Sequence, residues 1–285
     1  MAKRQYYSTR TGNAPLAEGL DLANVLKLFL NMYRKWNYKG YFQDSFGIDC
    51  QDSGHIPGRL GSDIEGAMLL AIRKPNLWPI YENVPKYSED DFFDVVEFLY
   101  DHIARPIDEG LHHGWNNECS HYSEFDRASA QSEYRDRIND LLGAYSDGFE
   151  LSSAGEVMTI PEGGMRSIFD ASVPSEDPDN IQARISSAIR KFRRHRSSLE
   201  DRRMAIRDLA DVLEFLRPKA KKALSSKDED DLFNIINNYG IRHHNERQRT
   251  VYEQAIFYSW LFYYYLAGIH AVLRLIERQE RREQP

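Results

Sequence analysis

Cysteine is scarce in this sequence: only Cys50 and Cys119 occur among 285 residues. Two cysteines cannot build the network of cross-links that holds small secreted domains together, so a disulfide-rich class of protein is excluded. The N-terminus carries Lys3 and Arg4 but no apolar run behind them, which argues against a secretory signal. We therefore expect a cytoplasmic protein.

Recognised cofactor and metal motifs are also missing. The glycines between Gly54 and Gly61 lack the Lys-Ser/Thr pair of a P-loop, so we expect no small-molecule cofactor. A second segment holds histidines and a cysteine that could join around zinc if it forms a loop: His112, His113, Cys119 and His121. Because no Cys-x-x-Cys pair accompanies them and their spacing is irregular, we expect no metal site.

Positive charge is under-represented in the front of the chain and concentrated at the back. The net charge is −7, yet residues 181–285 hold 21 Lys and Arg against 14 Asp and Glu, while residues 1–180 hold 16 against 30. A hydrophobic fraction of 41% excludes a wholly disordered chain. The charge asymmetry favours either a polyanionic partner for the C-terminal part or attraction between the two parts.

Apolar residues at helical spacing predict that the front of the chain is mainly helical. The predicted helices cover, approximately, residues 16–33, 62–73, from 88 onward and 132–145. Ser62 with Glu65 matches a capping box at the start of the second helix. Short apolar runs at 148–151 and 156–160, around a four-residue turn, predict a β-hairpin. A helix followed by a hairpin is either a fragment of a winged helix-turn-helix or a helical domain closed by an isolated hairpin.

The back of the chain predicts a bundle of four helices. They cover, approximately, residues 181–192, 199–216, 228–238 and 251–277. The second should end near Pro218, and Gly240 should close the third. We thus expect an all-α protein with one small β-hairpin, divided into a helical N-terminal domain over 1–170, a linker over 171–180 and a bundle over 181–285.

The last predicted helix contains an uncharged run, Ala255–Leu273, that is long enough to span a bilayer. Three consecutive tyrosines at 263–265 and His270 lie within this run. Tyrosine belongs at membrane interfaces rather than at mid-span, and a helix that is apolar all round is typical of a protein core. We therefore expect a buried helix and no membrane association.

Functional chemistry concentrates just before that helix, in Arg242, His243, His244 and Asn245. Histidine titrates near neutrality and can move protons, and arginine binds phosphate through a planar fork. These are the parts needed to break an RNA phosphodiester without a metal ion. The alternative is that these residues cap helix ends and solvate a loop.

A basic stretch precedes this cluster. From Arg184 to Arg207 there are nine Lys and Arg against two acidic residues. The residues predicted to contact RNA phosphates are Arg190, Lys191, Arg193, Arg194, Arg196, Arg247 and Arg249. The alternative is a solvated helix face, either alone or paired with the acidic front of the chain.

The C-terminal third resembles a HEPN domain, a helical bundle found in prokaryotic ribonuclease toxins and phage-defence proteins. The resemblance rests on 233–245 (FNIINNYGIRHHN) and 260–270 (WLFYYYLAGIH), and the whole layout is similar to abortive-infection proteins of the AbiJ type. It implies a metal-independent ribonuclease, RNA as partner and a homodimer. Arg242 would clamp the phosphate, His243 or His244 would do the acid–base work, and Asn245 would orient one of them.

The chain departs from the family at one point. The family motif places four to six residues between the arginine and the histidine, and Arg247, Gln248 and Arg249 occupy the corresponding positions after Arg242. The cluster is therefore either a compact variant of the catalytic site or part of a non-catalytic relative that only binds RNA or protein. A helical scaffold without a nucleic-acid role is a third possibility.

Overall fold

The computed structural model describes residues 6–12, 19–50, 53–108, 110–112, 120–145, 148–161, 165–169, 171–175, 177–238 and 253–283. The chain divides into two compact units, unit 1 over residues 1–159 and unit 2 over residues 160–285. Helices dominate both units, and the strands form only short antiparallel pairs. The predicted mainly α-helical class with a small β element is confirmed.

Seven helices and eight strands are described in unit 1. The helices are α1 (Tyr7–Arg10), α2 (Leu22–Tyr38), α3 (Gln43–Phe46), α4 (Ile64–Ile72), α5 (Ile80–Asn83), α6 (Glu89–His102) and α7 (Arg127–Leu142), with a 3₁₀ turn at Val84–Lys86. The strand pairs are β1 (Ile48–Cys50) with β2 (Gly54–Ile56), β3 (Arg105–Pro106) with β6 (Phe125–Asp126), β4 (Leu111–His112) with β5 (Ser120–His121), and β7 (Phe149–Leu151) with β8 (Val157–Thr159).

The longest helices of unit 1 begin at side-chain caps and bury one face. Asp21 accepts the N–H of Asn24 at the start of α2, and Ser88 forms a reciprocal capping box with Asp91 at the start of α6. The predicted helix start near Ser88 is thus confirmed. The buried faces of the two helices meet in one core, in which the rings of Phe29 and Phe92 lie 5.2 Å apart, edge to face.

Three predicted helices of unit 1 have wrong boundaries. The helix predicted over 16–33 is α2, which begins at Leu22 because Asp21 takes the capping position, and ends at Tyr38. Helix α4 begins at Ile64 rather than Ser62, because the carboxylate of Asp63 accepts the N–H of Gly66 at 2.8 Å and so takes the capping position. The helix predicted over 132–145 begins earlier, at Arg127, where Asp126 supplies the cap, and it ends at Leu142.

The predicted hairpin is present as β7 and β8. All three residues of β7 are buried. The side-chain amide of Asn139 on α7 makes two hydrogen bonds to the backbone of Leu151, at 2.5 and 3.1 Å, and Glu97 on α6 accepts the N–H of Val157 at 2.6 Å. Because the hairpin contributes to the core, it closes the helical unit, as the second of the two interpretations expects. The three other strand pairs of unit 1 were not predicted.

Unit 2 contains α8 (Arg166–Phe169), a π-helical turn (Pro178–Gln182), α9 (Ala183–Arg193), α10 (Leu199–Ala223), α11 (Ser226–Asn238) and α12 (Gln254–Glu283). Its core is one cluster to which α9, α10, α11 and α12 all contribute. Helix α8 belongs here, since the ring of Phe169 stacks on Phe262 of α12 at 5.9 Å. The first domain was predicted to end at residue 170, whereas the compact unit ends at Thr159.

Proline 218 lies inside α10, so the prediction that this helix ends near Pro218 is wrong. The helix continues to Ala223 because residues on both sides of the proline are packed. Leu216 and Ala220 are buried, and Arg217 places its guanidinium 4.4 Å from the ring centre of Phe233 on α11. Tertiary contacts therefore override the local preference of proline for a helix end.

Helix α12 runs through the core of unit 2. By length and composition, Gln254–Arg282 could cross a membrane, and half of its most apolar window is buried inside the unit. A stripe that repeats every three or four residues is buried: Leu261, Phe262, Tyr265, Leu266, Ile269, Val272, Leu273 and Ile276. One face of this helix thus packs against α10, in the manner of a bundle helix.

Candidate functional site

The contacts of α12 fix the directions of its neighbours in the bundle. The ring of Phe192, at the end of α9, stacks on Phe262 at 4.0 Å, while Lys219 Nζ, far along α10, lies 3.1 Å from Glu280 Oε1. Helices α10 and α12 therefore run parallel. The turn between α9 and α10, residues 194–198, lies at the same end of the bundle as the first turns of α12; we call it the basic corner.

The basic corner is a tight turn determined by its own sequence. Ser198 and Asp201 form a capping box that starts α10, and Ser197 Oγ donates to the carbonyl of Lys191 at 2.9 Å. Arg196 has a φ of 56°, in the left-handed region that closes the turn. Arg194 contributes, after Ser198, to lowering the pKa of Asp201, so that its carboxylate stays ionised as a cap.

The residues predicted to bind RNA divide into two groups at this corner. Arg193 is only 5% exposed, and its guanidinium lies 5.0 Å from the ring centre of Phe169, so it packs into the unit. The ammonium group of Lys191 lies 2.6 Å from Asp208 on α10. Arg190, Arg194 and Arg196 are exposed. The exposed part of the basic stretch is therefore narrower than the sequence indicated.

The predicted catalytic residues Arg242, His243, His244 and Asn245 lie outside the described residues, as do Arg247 and Arg249. The described chain reaches the end of α11 at Asn238 and resumes just before α12, which begins at Gln254. In sequence, the whole cluster falls between these two helix ends.

Sequence reasoning missed a set of aromatic side chains on the first turns of α12. Phe257, Trp260 and Tyr264 follow one another at spacings of three and four residues, which places them on one helix face. Their ring centres are 6.0 and 5.8 Å apart, and Trp260 is 41% exposed. We call these three residues the aromatic ladder. The uncharged run gave no signal that separated this exposed face from the buried one.

The aromatic ladder and the basic corner belong to the same end of the bundle. Phe192, next to the corner, lies 6.0 Å from Tyr263, and Tyr263 is the chain neighbour of Tyr264. Burial, together with the negative charge of Asp231 on α11, raises the pKa of Tyr264. This end of unit 2 therefore presents the exposed ring of Trp260, flanked by two half-buried rings, together with exposed guanidinium groups.

The histidine-rich segment of unit 1 is described only in part. Leu111 pairs with His121, and His112 pairs with Ser120, in the strand pair β4–β5, whereas His113 and Cys119 lie outside the described residues. The absence of a metal site stays a prediction. Cys50, the other cysteine, is buried in unit 1.

Comparisons with protein-family models, curated proteins and solved structures find no match to this chain.

Proposed function

We propose that unit 2 is a HEPN-like, metal-independent ribonuclease that acts in phage defence or as a toxin, and that it works as a homodimer. One observation carries this proposal: the aromatic ladder and the exposed arginines of the basic corner lie at one end of the bundle. The two helices that flank the Arg242–Asn245 cluster in sequence are α11 and α12, and α12 begins at this same end.

The aromatic ladder provides what unpaired RNA requires. Single-stranded bases stack on aromatic side chains, with about 1–3 kcal/mol per base, and this contact tolerates any base. Arg190, Arg194 and Arg196 would meet the phosphates that join the stacked bases, and such contacts weaken as salt rises. Aromatic rings and arginines side by side favour single-stranded RNA over a protein as the partner. In RNA the bases and the anionic phosphates alternate along the strand, whereas a folded protein surface has no such regular pattern.

The cleavage step in this proposal needs no metal ion. His243 or His244 takes the proton of a ribose 2′-hydroxyl, and the resulting oxyanion attacks the adjacent phosphorus. Arg242 offsets the charge that develops on the phosphoryl oxygens. The 5′-oxygen leaves with a proton returned by an acid, so the products are a 2′,3′-cyclic phosphate and a 5′-hydroxyl. Asn245 orients one of the histidines.

The first experiment measures cleavage of total RNA by the full chain in EDTA. We expect wild-type protein to cleave and an Arg242→Ala/His243→Ala/His244→Ala variant with an unchanged circular dichroism spectrum to leave RNA intact. Cyclic-phosphate ends on the fragments would identify the attacking 2′-oxygen. Equal cleavage by both proteins would refute the assignment of chemistry to this cluster.

The second experiment tests the RNA surface separately, with a labelled single-stranded RNA and matched controls. Trp260→Ala should weaken binding about tenfold, by the loss of one stacked base. Phe215→Ala should not, because the ring of Phe215, which is 53% exposed, lies further along α10 and away from the basic corner. Binding without cleavage would favour the non-catalytic binding module. Equal affinity of the two variants would contradict the RNA surface.

The charge contribution has its own control pair. Arg190→Ala/Arg194→Ala should lower RNA affinity and flatten its dependence on salt. Arg278→Ala/Arg282→Ala removes the same charge from exposed positions near the end of α12 and should change the affinity much less. An equal loss from both pairs would indicate that only the net charge of unit 2 matters.

A further inference from the structure

Unit 1 contains a cavity of about 330 Å³ that the ribonuclease proposal does not use. It is lined by α3, by the glycines that follow α3 and β2, and by β5 with the residues after it. Its volume is at the lower end of the range for small-molecule sites, roughly 300–1,000 Å³. A molecule of about the size of a nucleotide matches such a volume.

The wall of the cavity around Gly47 and Gly58 depends on the absence of side chains. A Cβ at Gly58 would lie 2.5 Å from the backbone N of Gly47 and from the carbonyl of Ser45, and one at Gly47 would lie 2.1 Å from the carbonyl oxygen of Ile56. Gly47 also has a φ of 79°. The backbone around Gly47 thus lies in van der Waals contact with the backbone around Gly58. The fold itself therefore determines the shape of this wall of the cavity.

The opposite wall is held by the side chain of Gln43. Its Nε2 donates to the carbonyl of Ser120 at 2.9 Å, and its Oε1 accepts the N–H of Tyr122 at 2.7 Å. The ring of Tyr122 in turn occupies space beside Gly40 and Gly110, where added Cβ atoms would lie 2.6 and 2.9 Å from it. Helix α3 and strand β5 are therefore fixed relative to each other.

Arg59 supplies the charge at the cavity. Its Nε donates to Asp44 Oδ2 at 2.8 Å, and its Nη2 donates to the buried Ser45 Oγ at 2.9 Å. These two bonds use one edge of the guanidinium, and among the described residues they are its only hydrogen bonds. The second edge, formed by Nη1–H and Nη2–H, has the geometry that binds an oxyanion in a bidentate manner.

The carboxylate of Asp44 does not cancel this charge. The same oxygen, Oδ2, also lies 3.4 Å from an Nη2 atom of Arg127. Two guanidinium groups thus share one carboxylate, which leaves one positive charge in the network. The remaining lining is mainly apolar or aromatic, with Ile48, Ile56 and Phe125 among its members.

We propose that this cavity binds a nucleoside monophosphate, with its phosphate on the open edge of Arg59 and its base against the apolar and aromatic lining. A bare anion would leave that lining unused, and a neutral ring would leave unmatched the excess positive charge of the two arginines that share Asp44. The site is unlike a P-loop, because side-chain donors rather than a glycine-rich loop and lysine hold the phosphate.

The test is calorimetric titration of the full chain with each of the four nucleoside 5′-monophosphates and with inorganic phosphate. We expect saturable binding of at least one nucleotide and at least tenfold weaker binding of phosphate alone. Arg59→Leu should weaken nucleotide binding by about tenfold or more, since it removes the charge-assisted bonds to the phosphate. The matched control Arg137→Leu removes a 66% exposed arginine of α7 and should leave binding unchanged.

Each other outcome overturns the assignment. Absence of saturable binding, or binding that survives in a folded Arg59→Leu protein, removes the site. Phosphate that binds as tightly as the nucleotides removes the nucleoside. If Arg59→Leu fails to fold, Arg59→Lys replaces it: lysine keeps the charge but loses the fork, so weaker nucleotide binding is still expected and unchanged binding overturns the proposal. Arg194→Ala must have no effect, because an effect would locate the ligand on unit 2.

Discussion

Replacing Pro218 with alanine should stabilise unit 2, although it changes an exposed side chain without adding a contact. Proline has no N–H to donate to the carbonyl of Glu214, and its ring crowds that carbonyl. In a helix interior this costs about 3 kcal/mol relative to alanine. Proline also restricts the unfolded chain, an advantage of about 0.4–1 kcal/mol that the substitution gives up. The expected net gain is about 2 kcal/mol.

Amide hydrogen exchange of α10 and α12 in the full chain measures this gain without requiring the two units to unfold together. A gain of about 2 kcal/mol corresponds to roughly 30-fold slower exchange of the most protected amides. Pro178→Ala is the matched control, because Pro178 lies in the first turn of the π-helical segment, where its N–H would be unpaired in any case. That variant should lose about 0.4–1 kcal/mol. A Pro218→Ala protein that exchanges faster than wild type would refute the reasoning.

Three further predictions concern pH and helix capping. Burial raises the pKa of Glu97, which accepts the N–H of Val157. Its contribution to stability is therefore present below the unfolded pKa near 4.5 and is lost as pH rises through the folded pKa. Glu97→Gln should raise the urea midpoint of unfolding at pH 7 and not at pH 4. Burial lowers the pKa of His270, so its contribution to stability is present above the unfolded pKa of about 6.5 and is lost as pH falls through the folded pKa. His270→Leu should therefore lose less stability than wild type between pH 7 and pH 5. An identical loss in both proteins would contradict this prediction. Asp63→Ala should lower the stability of unit 1 by about 1 kcal/mol, while Ser62→Ala should leave it unchanged. A larger loss from Ser62→Ala than from Asp63→Ala would instead support the capping box predicted at Ser62.

Helical elements with strong local signals could be predicted from the sequence. The apolar spacing of α6 predicted a start near Ser88, and the capping box that the structure shows there agrees with it, so the predicted start of the helix is right. At the start of α4, Ser62 and Asp63 are neighbouring residues that could each cap the helix. The structure shows that Asp63 is the cap, and the sequence pattern did not distinguish the two. Strands of two or three residues, such as β3 and β6, are too short to show an alternating pattern, so they could not be found in this way.

Burial within the candidate site was harder to predict. Arg193 and Arg194 are neighbours in a basic run, yet one lies over Phe169 and the other is exposed, because a long cationic side chain can cover an apolar surface. Trp260 stands in a run whose composition indicates a core helix. Its exposure depends on which partners α12 has in the bundle, and that information lies in the tertiary fold.

The order of elements in unit 2 has a consequence for how the chain folds while it is being synthesised. Helices α9 and α10 leave the ribosome before α12. Until α12 follows, the side chains of Phe192, Leu209 and Leu213 lack the helix that covers them in the finished bundle. A nascent chain that stops before Gln254 therefore exposes an apolar surface to chaperones and to other nascent chains. Translation must pass through α12 before the bundle can close, so premature termination in this gene region should yield protein that is insoluble rather than merely inactive.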